Sequence, residues 1–122
     1  MKLIVALLPT IVLVVYGQLI VKWRVGALAG AAETASGPFG RLAVYLCDPY
    51  VLSAYVAALA SSMTWMFVVE RYPISLAFPL HIGITVASVV LGGIYLFGEP
   101  ITPSRVLAVA LILAGIAIAT QS

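Results

Sequence analysis

The chain has 122 residues, 64% of them hydrophobic and only 8% charged, with a mean hydropathy of +1.21. A soluble domain carries about 25% charged residues, so the composition excludes one and points to an all-helical protein within a membrane. A net charge of +2 with no basic cluster gives no basis for nucleic-acid binding, and the one cysteine, Cys47, excludes an internal disulfide.

The first apolar span runs from Leu3 to Val21, 19 residues without a charge, close to the roughly 20 needed to cross a bilayer core. Pro9 is expected to kink it without ending it. The rival is a signal peptide, with Lys2 as its charged start and Ala27-Leu28-Ala29 as its cleavage site. That fits less well. The apolar run exceeds the usual h-region of about 7–15 residues, and Lys22, Trp23 and Arg24 separate it from the site. Gln18 and Lys22 stand four residues apart and share a helical face. Two readings stay open here. In one, Lys22 snorkels to the headgroups while Gln18 bonds a neighbouring helix; in the other, a cation and an amide line a polar route.

A linker over 23–48 follows. Its middle, Gly26 to Gly40, is rich in Gly, Ala and Ser, and reads as mobile. Residues 38–47 set Phe39, Leu42, Tyr45 and Leu46 around Arg41, the pattern of a short helix lying at the membrane interface. Arg41 is then a headgroup contact or a substrate ligand.

The second span covers 49–69. Ser61, Ser62 and Thr64 suit close approach of another backbone. Trp65 belongs either to the interfacial aromatic belt or to a cavity where it offers a stacking face. Glu70-Arg71-Tyr72-Pro73 forms a tight charged turn.

The third span, 74–97, carries the most unusual residues. Pro79 removes a backbone donor, and Gly92-Gly93 adds a second flexible point. Phe78, His81, Thr85 and Ser88 recur at i, i+3, i+7 and i+10, a polar-aromatic stripe on one face. Such a stripe is costly in lipid unless it faces protein, water or a ligand. His81 reads either as a histidine hydrogen-bonded between helices or as a proton relay.

After the turn Gly98-Glu99-Pro100-Ile101, Thr102 is an apt N-cap and Pro103 an apt first helical residue. The fourth span, 103–120, presents Ala110, Ala114, Gly115 and Ala117 as a small-residue face for close helix contact. Lys22, Arg24, Arg41 and Arg105 lie on one side of the membrane and Lys2 and Arg71 on the other. This puts the first and third loops in the cytoplasm, by a margin small enough to permit either orientation. No nucleophile–base pair, metal-ligand cluster or nucleotide-binding loop is visible, so no enzyme, metal or cofactor is expected.

Four short spans with Tyr16-Gly17-Gln18…Lys22, Pro73-Ile74-Ser75-Leu76-Ala77-Phe78-Pro79 and Gly98-Glu99-Pro100 resemble a single-repeat member of the drug/metabolite transporter superfamily. The resemblance implies an all-α, four-transmembrane-helix bundle of the small-multidrug-resistance type, working as a dimer. Ala108, Leu111, Ile112, Gly115 and Ile116 resemble the dimer-forming pattern of the small multidrug resistance proteins in their last helix. However, the membrane-embedded glutamate of that family falls on Val14, which binds neither proton nor cation, and its third-helix tryptophan falls on His81.

Gly17-Gln18-Leu19…Lys22, the long first loop, Ala77-Phe78-Pro79 and Glu99-Pro100 are more similar to the subunits that flip undecaprenyl-phosphate-linked aminoarabinose in Gram-negative bacteria. That resemblance implies a multi-pass protein of the bacterial inner membrane that translocates a polyprenyl-phosphate-linked sugar, as a homodimer or with a paralogue. A cation among Lys22, Arg24 and Arg41 would meet the lipid phosphate. Gln18, Thr85, Phe78 and Trp65 would meet the sugar, with Glu99 either accepting an amine or hydroxyl or, as is commoner, bonding the turn it occupies. A small-cation or metabolite exporter using His81, and a scaffold subunit for a membrane glycosyltransferase, are the alternatives.

Overall fold

The computed structural model describes residues 2–121. Among the described residues about 88% are helical and none is in a strand. The elements are α1 (Lys2–Ala27), α2 (Ala29–Glu33), α3 (Gly37–Leu46), α4 (Pro49–Arg71), α5 (Ile74–Phe97) and α6 (Pro103–Ala119). By length and apolarity α1, α4 and α5 are each able to cross a membrane. The 17-residue α6 stands at the lower end of the range of about 17–25 residues for a spanning helix.

The centre of the structure is α1, which packs along α4 and also against α5, while α6 docks chiefly on α5. In α1, Leu3, Leu7, Thr10 and Ile11 are buried, a spacing of three and four that keeps them on one face. Leu3, Leu7 and Ile11 meet Val68 of α4 and Ala77 and Leu80 of α5 in one apolar cluster, flanked by Trp65, Tyr72 and Ile116. The buried face of α4 is made largely of small residues, Ala54, Ala57 and Ser61, so the two backbones come close. A Cβ on Gly17 would lie only 3.3 Å from the Ala54 carbonyl oxygen. Elsewhere the outward surface is apolar all round, with Val12, Leu59, Phe67, Leu91 and Leu113 exposed, as lipid requires of a spanning bundle.

Three polar rungs tie α1 to the α3–α4 junction and α4. Thr10 meets Thr64 at 2.6 Å, Tyr16 meets Ser53 at 2.8 Å, and Arg24 meets Asp48. Proton counting sets the direction of the first two. The Thr64 hydroxyl donates to the Ser61 carbonyl and the Ser53 hydroxyl to the Tyr50 carbonyl, so each is left as acceptor. Thr10 and Tyr16 therefore donate.

The caps follow local chemistry. Asp48 accepts from the Val51 amide ahead of Pro49, and Thr102 accepts from the Arg105 amide ahead of Pro103. Gly98, at φ +64°, closes α5 in the left-handed conformation that favours glycine.

The stretch read as a mobile loop is instead largely helical. Past Val21, α1 continues to Ala27, and Ala29–Glu33 adds a further short helix. The alanines at 27, 29, 31 and 32 have the highest helix propensity of any residue, and the Arg24–Asp48 pair fastens the base of the segment.

Candidate functional site

Most of the residues singled out above as substrate contacts fall into two groups. Gln18 and Lys22 of α1 and Glu99 of the α5–α6 turn line one groove of about 290 Å³ cut between α1 and α5, with Leu19, Val90, Gly93 and Phe97 as its apolar walls. Gln18 also borders a second, smaller groove of about 190 Å³ between α1 and α4, together with Val14, Gly17 and Tyr55. The i, i+4 spacing on α1 brings the amide and the ammonium to one face. Glu99 arrives from the other end of the chain because α5 lies beside α1 with its C-terminal end next to Lys22.

Glycine makes the room for Glu99. A Cβ on Gly93 would stand 3.0 Å from Glu99 Oε2 and 3.2 Å from its Cδ, so glycine lets the carboxylate lie close over α5, and any side chain would press it outward. The Glu99 amide donates to the Gly93 carbonyl at 3.3 Å, which folds the turn back onto the helix. Arg105 stands 3.9 Å from the carboxylate, but its guanidinium donates to the Pro100 carbonyl at 3.0 Å. This leaves Glu99 with open acceptor positions towards the groove. Lys22 is exposed and makes no ion pair among the described residues. The groove thus offers a cation, an amide and a carboxylate within one apolar frame.

The second group is aromatic. Trp65 of α4 packs against His81 of α5 with ring centroids 5.2 Å apart, and edge-on to Phe78 at 6.2 Å. The tryptophan therefore joins the α5 stripe and does not stand apart from it. Thr85 is buried one turn beyond His81, its hydroxyl 3.5 Å from Nδ1, the outer limit of a hydrogen bond. Arg41 belongs to neither group: it lies on the exposed α3 without an ion pair among the described residues.

Arg24, counted in the sequence as a cation for a lipid phosphate, is engaged elsewhere. Its guanidinium grips Asp48 through two hydrogen bonds of 2.9 and 3.0 Å and lies 4.8 and 5.0 Å from the ring centroids of Trp23 and Tyr50, which pack edge-on against each other. Burial pushes the Asp48 carboxyl up, but the Arg24 and Val51 hydrogen bonds, with the Arg24 charge, outweigh it and hold the pKa below its ordinary 3.8. Asp48 before Pro49 is legible as a helix cap; its pairing with a residue 24 positions earlier has no local signature.

The residues of the expected dimer face divide. Ile112 and Ile116 turn inward over Gly83, where an added Cβ would meet Ile116 at 2.7 Å. Ala108, Leu111 and Gly115 face outward, and nothing lies within 4 Å of a Cβ built on Gly115.

No family model and no solved structure matches the chain. Over 110 residues, 90% of this chain and 90% of the relative, it is 29% identical to the "Probable 4-amino-4-deoxy-L-arabinose-phosphoundecaprenol flippase subunit ArnE" of Pseudomonas savastanoi pv. phaseolicola (strain 1448A / Race 6). With three apolar helices of spanning length, and likeness to a flippase subunit over nine-tenths of its length, the chain is a multi-pass membrane protein that resembles the aminoarabinose-phosphoundecaprenol flippase subunits.

Proposed function

We propose that the protein is a subunit of a translocator that moves a polyprenyl-phosphate-linked sugar across the bacterial inner membrane, and that it performs no covalent chemistry. The observation that carries this reading is the convergence of Gln18, Lys22 and Glu99 on one groove in a chain similar to a flippase subunit. A lipid-linked sugar has two kinds of surface. Its phosphate calls for a cation, which Lys22 supplies near the polar end of α1. Its sugar calls for hydrogen-bonding groups, which Gln18 and Glu99 supply, while Leu19, Val90 and Phe97 accompany the first units of the hydrocarbon tail. Trp65 of α4 with Phe78, His81 and Thr85 of α5 forms a further, mainly aromatic surface for the headgroup, to which His81 contributes its ring. The interfacial setting of α3 directs Arg41 to headgroups.

Val14, on the groove between α1 and α4, can neither take up a proton nor hold a cationic drug. This favours the glycolipid over proton-coupled cation export. The assembly is a dimer, with itself or a paralogue, through the outward face of Ala108, Leu111 and Gly115. Ile112 and Ile116 contribute from beneath by fixing α6 on α5.

Native mass spectrometry of the protein extracted from its own membrane tests the reading. A dimer mass carrying a polyprenyl phosphate or its glycoside is expected, with occupancy reduced in Lys22→Ala and in Gln18→Ala. A dimer carrying bulk phospholipid alone, unchanged by either substitution, would overturn it.

A further inference from the structure

We propose that a second groove, at the opposite end of the α1–α5 seam, is a docking site for the phosphate of the same class of polyprenyl lipid in the other leaflet, with Lys2 as its cation and Tyr72 as its hydroxyl donor. This rests on the translocator reading and extends it. The groove has a volume of about 410 Å³ and is lined by Lys2, Leu3, Tyr72, Leu76 and Leu80, with Thr120 at its rim.

Its chemistry selects an anion with an apolar tail. Among the described residues Lys2 is exposed, forms no ion pair, and meets no carboxylate side chain in the groove. Glu70 and Arg71, at the adjacent end of α4, are exposed and line no part of it. The Thr120 hydroxyl already donates to the Ala117 carbonyl at 2.8 Å, so it has only acceptor capacity left. Among the described residues lining the groove, Lys2 and the Tyr72 phenol are the remaining side-chain donors. The other walls, Leu3, Ile4, Leu76 and Leu80, are hydrocarbon, as the first units of a prenyl chain require.

Distance supports the pairing of the two grooves. Lys2 and Lys22 lie on one continuous helix, twenty residues apart. At a rise of about 1.5 Å per residue they are separated by roughly 30 Å along the axis, the thickness of a bilayer's hydrocarbon core. Each lysine therefore stands at one face of the membrane, and each borders a groove between α1 and α5. Between them Leu7, Ile11, Ala77 and Leu80 close the seam with an apolar cluster. A phosphate finds a cation at either end and none in the middle. That arrangement suits a headgroup that rests at both faces and crosses only when α5 moves relative to α1.

The test uses the full chain in nanodiscs of phosphatidylcholine, titrated with undecaprenyl phosphate and read by native mass spectrometry. Two lipid phosphates per protomer are expected. Lys2→Ala removes one of them, lowering its affinity about tenfold or more, Lys2→Arg retains it, and Tyr72→Phe weakens it several-fold. Lys22→Ala removes the other. Because Lys2 is exposed at a helix end, its replacement leaves the fold intact. Unchanged stoichiometry in Lys2→Ala would overturn this site while leaving the Lys22 groove standing. Loss in Lys2→Ala with no change in Lys22→Ala would instead remove the first reading. Inorganic phosphate or phosphatidylglycerol competing as well as undecaprenyl phosphate would show that the groove takes any anion, and would overturn the assignment to a polyprenyl lipid.

Discussion

The Thr10–Thr64 contact offers a quantitative test of how α1 is held. Thr10 is only 2% exposed, and its hydroxyl donates to a Thr64 oxygen whose own proton is committed to the Ser61 carbonyl. Thr10→Val keeps the shape and removes the donor. Interhelical hydrogen bonds in a bilayer average about 0.6 kcal/mol and reach about 1.7. At 2.6 Å in a site closed to water, this one belongs in the upper part of that range.

Thr64→Val removes the acceptor instead and leaves a buried hydroxyl proton. Thr10 can turn that proton back to the carbonyl four residues earlier, which limits the loss. The double variant loses the same single bond, so the two single effects should sum to about 0.6–1.7 kcal/mol more than the double. This is about three- to twentyfold in the unfolding equilibrium constant. Reversible unfolding of the four proteins in mixed micelles measures it. Additive single effects would mean that the bond adds nothing to the α1–α4 contact, and the account of α1 as a helix pinned by polar rungs would fail.

Three further outcomes follow from the same geometry. Gly93→Ala should push the Glu99 carboxylate outward by about 0.4 Å, since 3.0 Å must open to the 3.4 Å of ordinary contact; affinity for an amine-bearing glycolipid should fall several-fold with little change in unfolding temperature, and an unchanged affinity would remove Glu99 from the groove. The lowered pKa of Asp48 means that its contribution to stability is full above the ordinary value of 3.8 and is lost as pH falls through the lower, folded-state pKa. Asp48→Asn should therefore be less stable than the parent at pH 6, with the difference shrinking in strong acid, as thermal unfolding across pH would show. His81→Phe keeps a ring against Trp65 and discards only a 3.5 Å contact with Thr85; glycolipid occupancy in native mass spectra should survive it, whereas its loss would bring a role for the imidazole back into the mechanism.

What the sequence revealed and what it concealed divide along a physical line. Helix periodicity placed Gln18 beside Lys22, and Phe78, His81 and Thr85 on one stripe, because neighbours on a helix face are a matter of spacing alone. The Thr102–Pro103 helix start was legible for the same reason, its capping bond being local. Contacts across the bundle were not. Glu99 reads as a turn residue until α5 is folded beside α1 and Gly93 makes room for its carboxylate. Arg24 reads as a free cation until Asp48, Trp23 and Tyr50 close around it. The Gly/Ala/Ser-rich stretch looked mobile because composition weighs glycine and serine heavily, whereas the alanines between them, anchored at Asp48, continue the helix. Likewise, one pattern in α6 served two purposes: Ile112 and Ile116 fill the space over Gly83, and only their neighbours face outward.

The central claim is that this chain carries a lipid-linked sugar from one leaflet to the other. Vesicles can be loaded with an undecaprenyl-phosphate-linked sugar and reconstituted with the protein, alone and with a paralogous partner. Added periodate, which does not cross the bilayer, then oxidises only outward-facing sugar. The account predicts that the protected half becomes accessible with the protein present, and that Lys22→Ala slows this markedly. An accessible fraction that stays at the level of protein-free vesicles, with and without the partner, would contradict it.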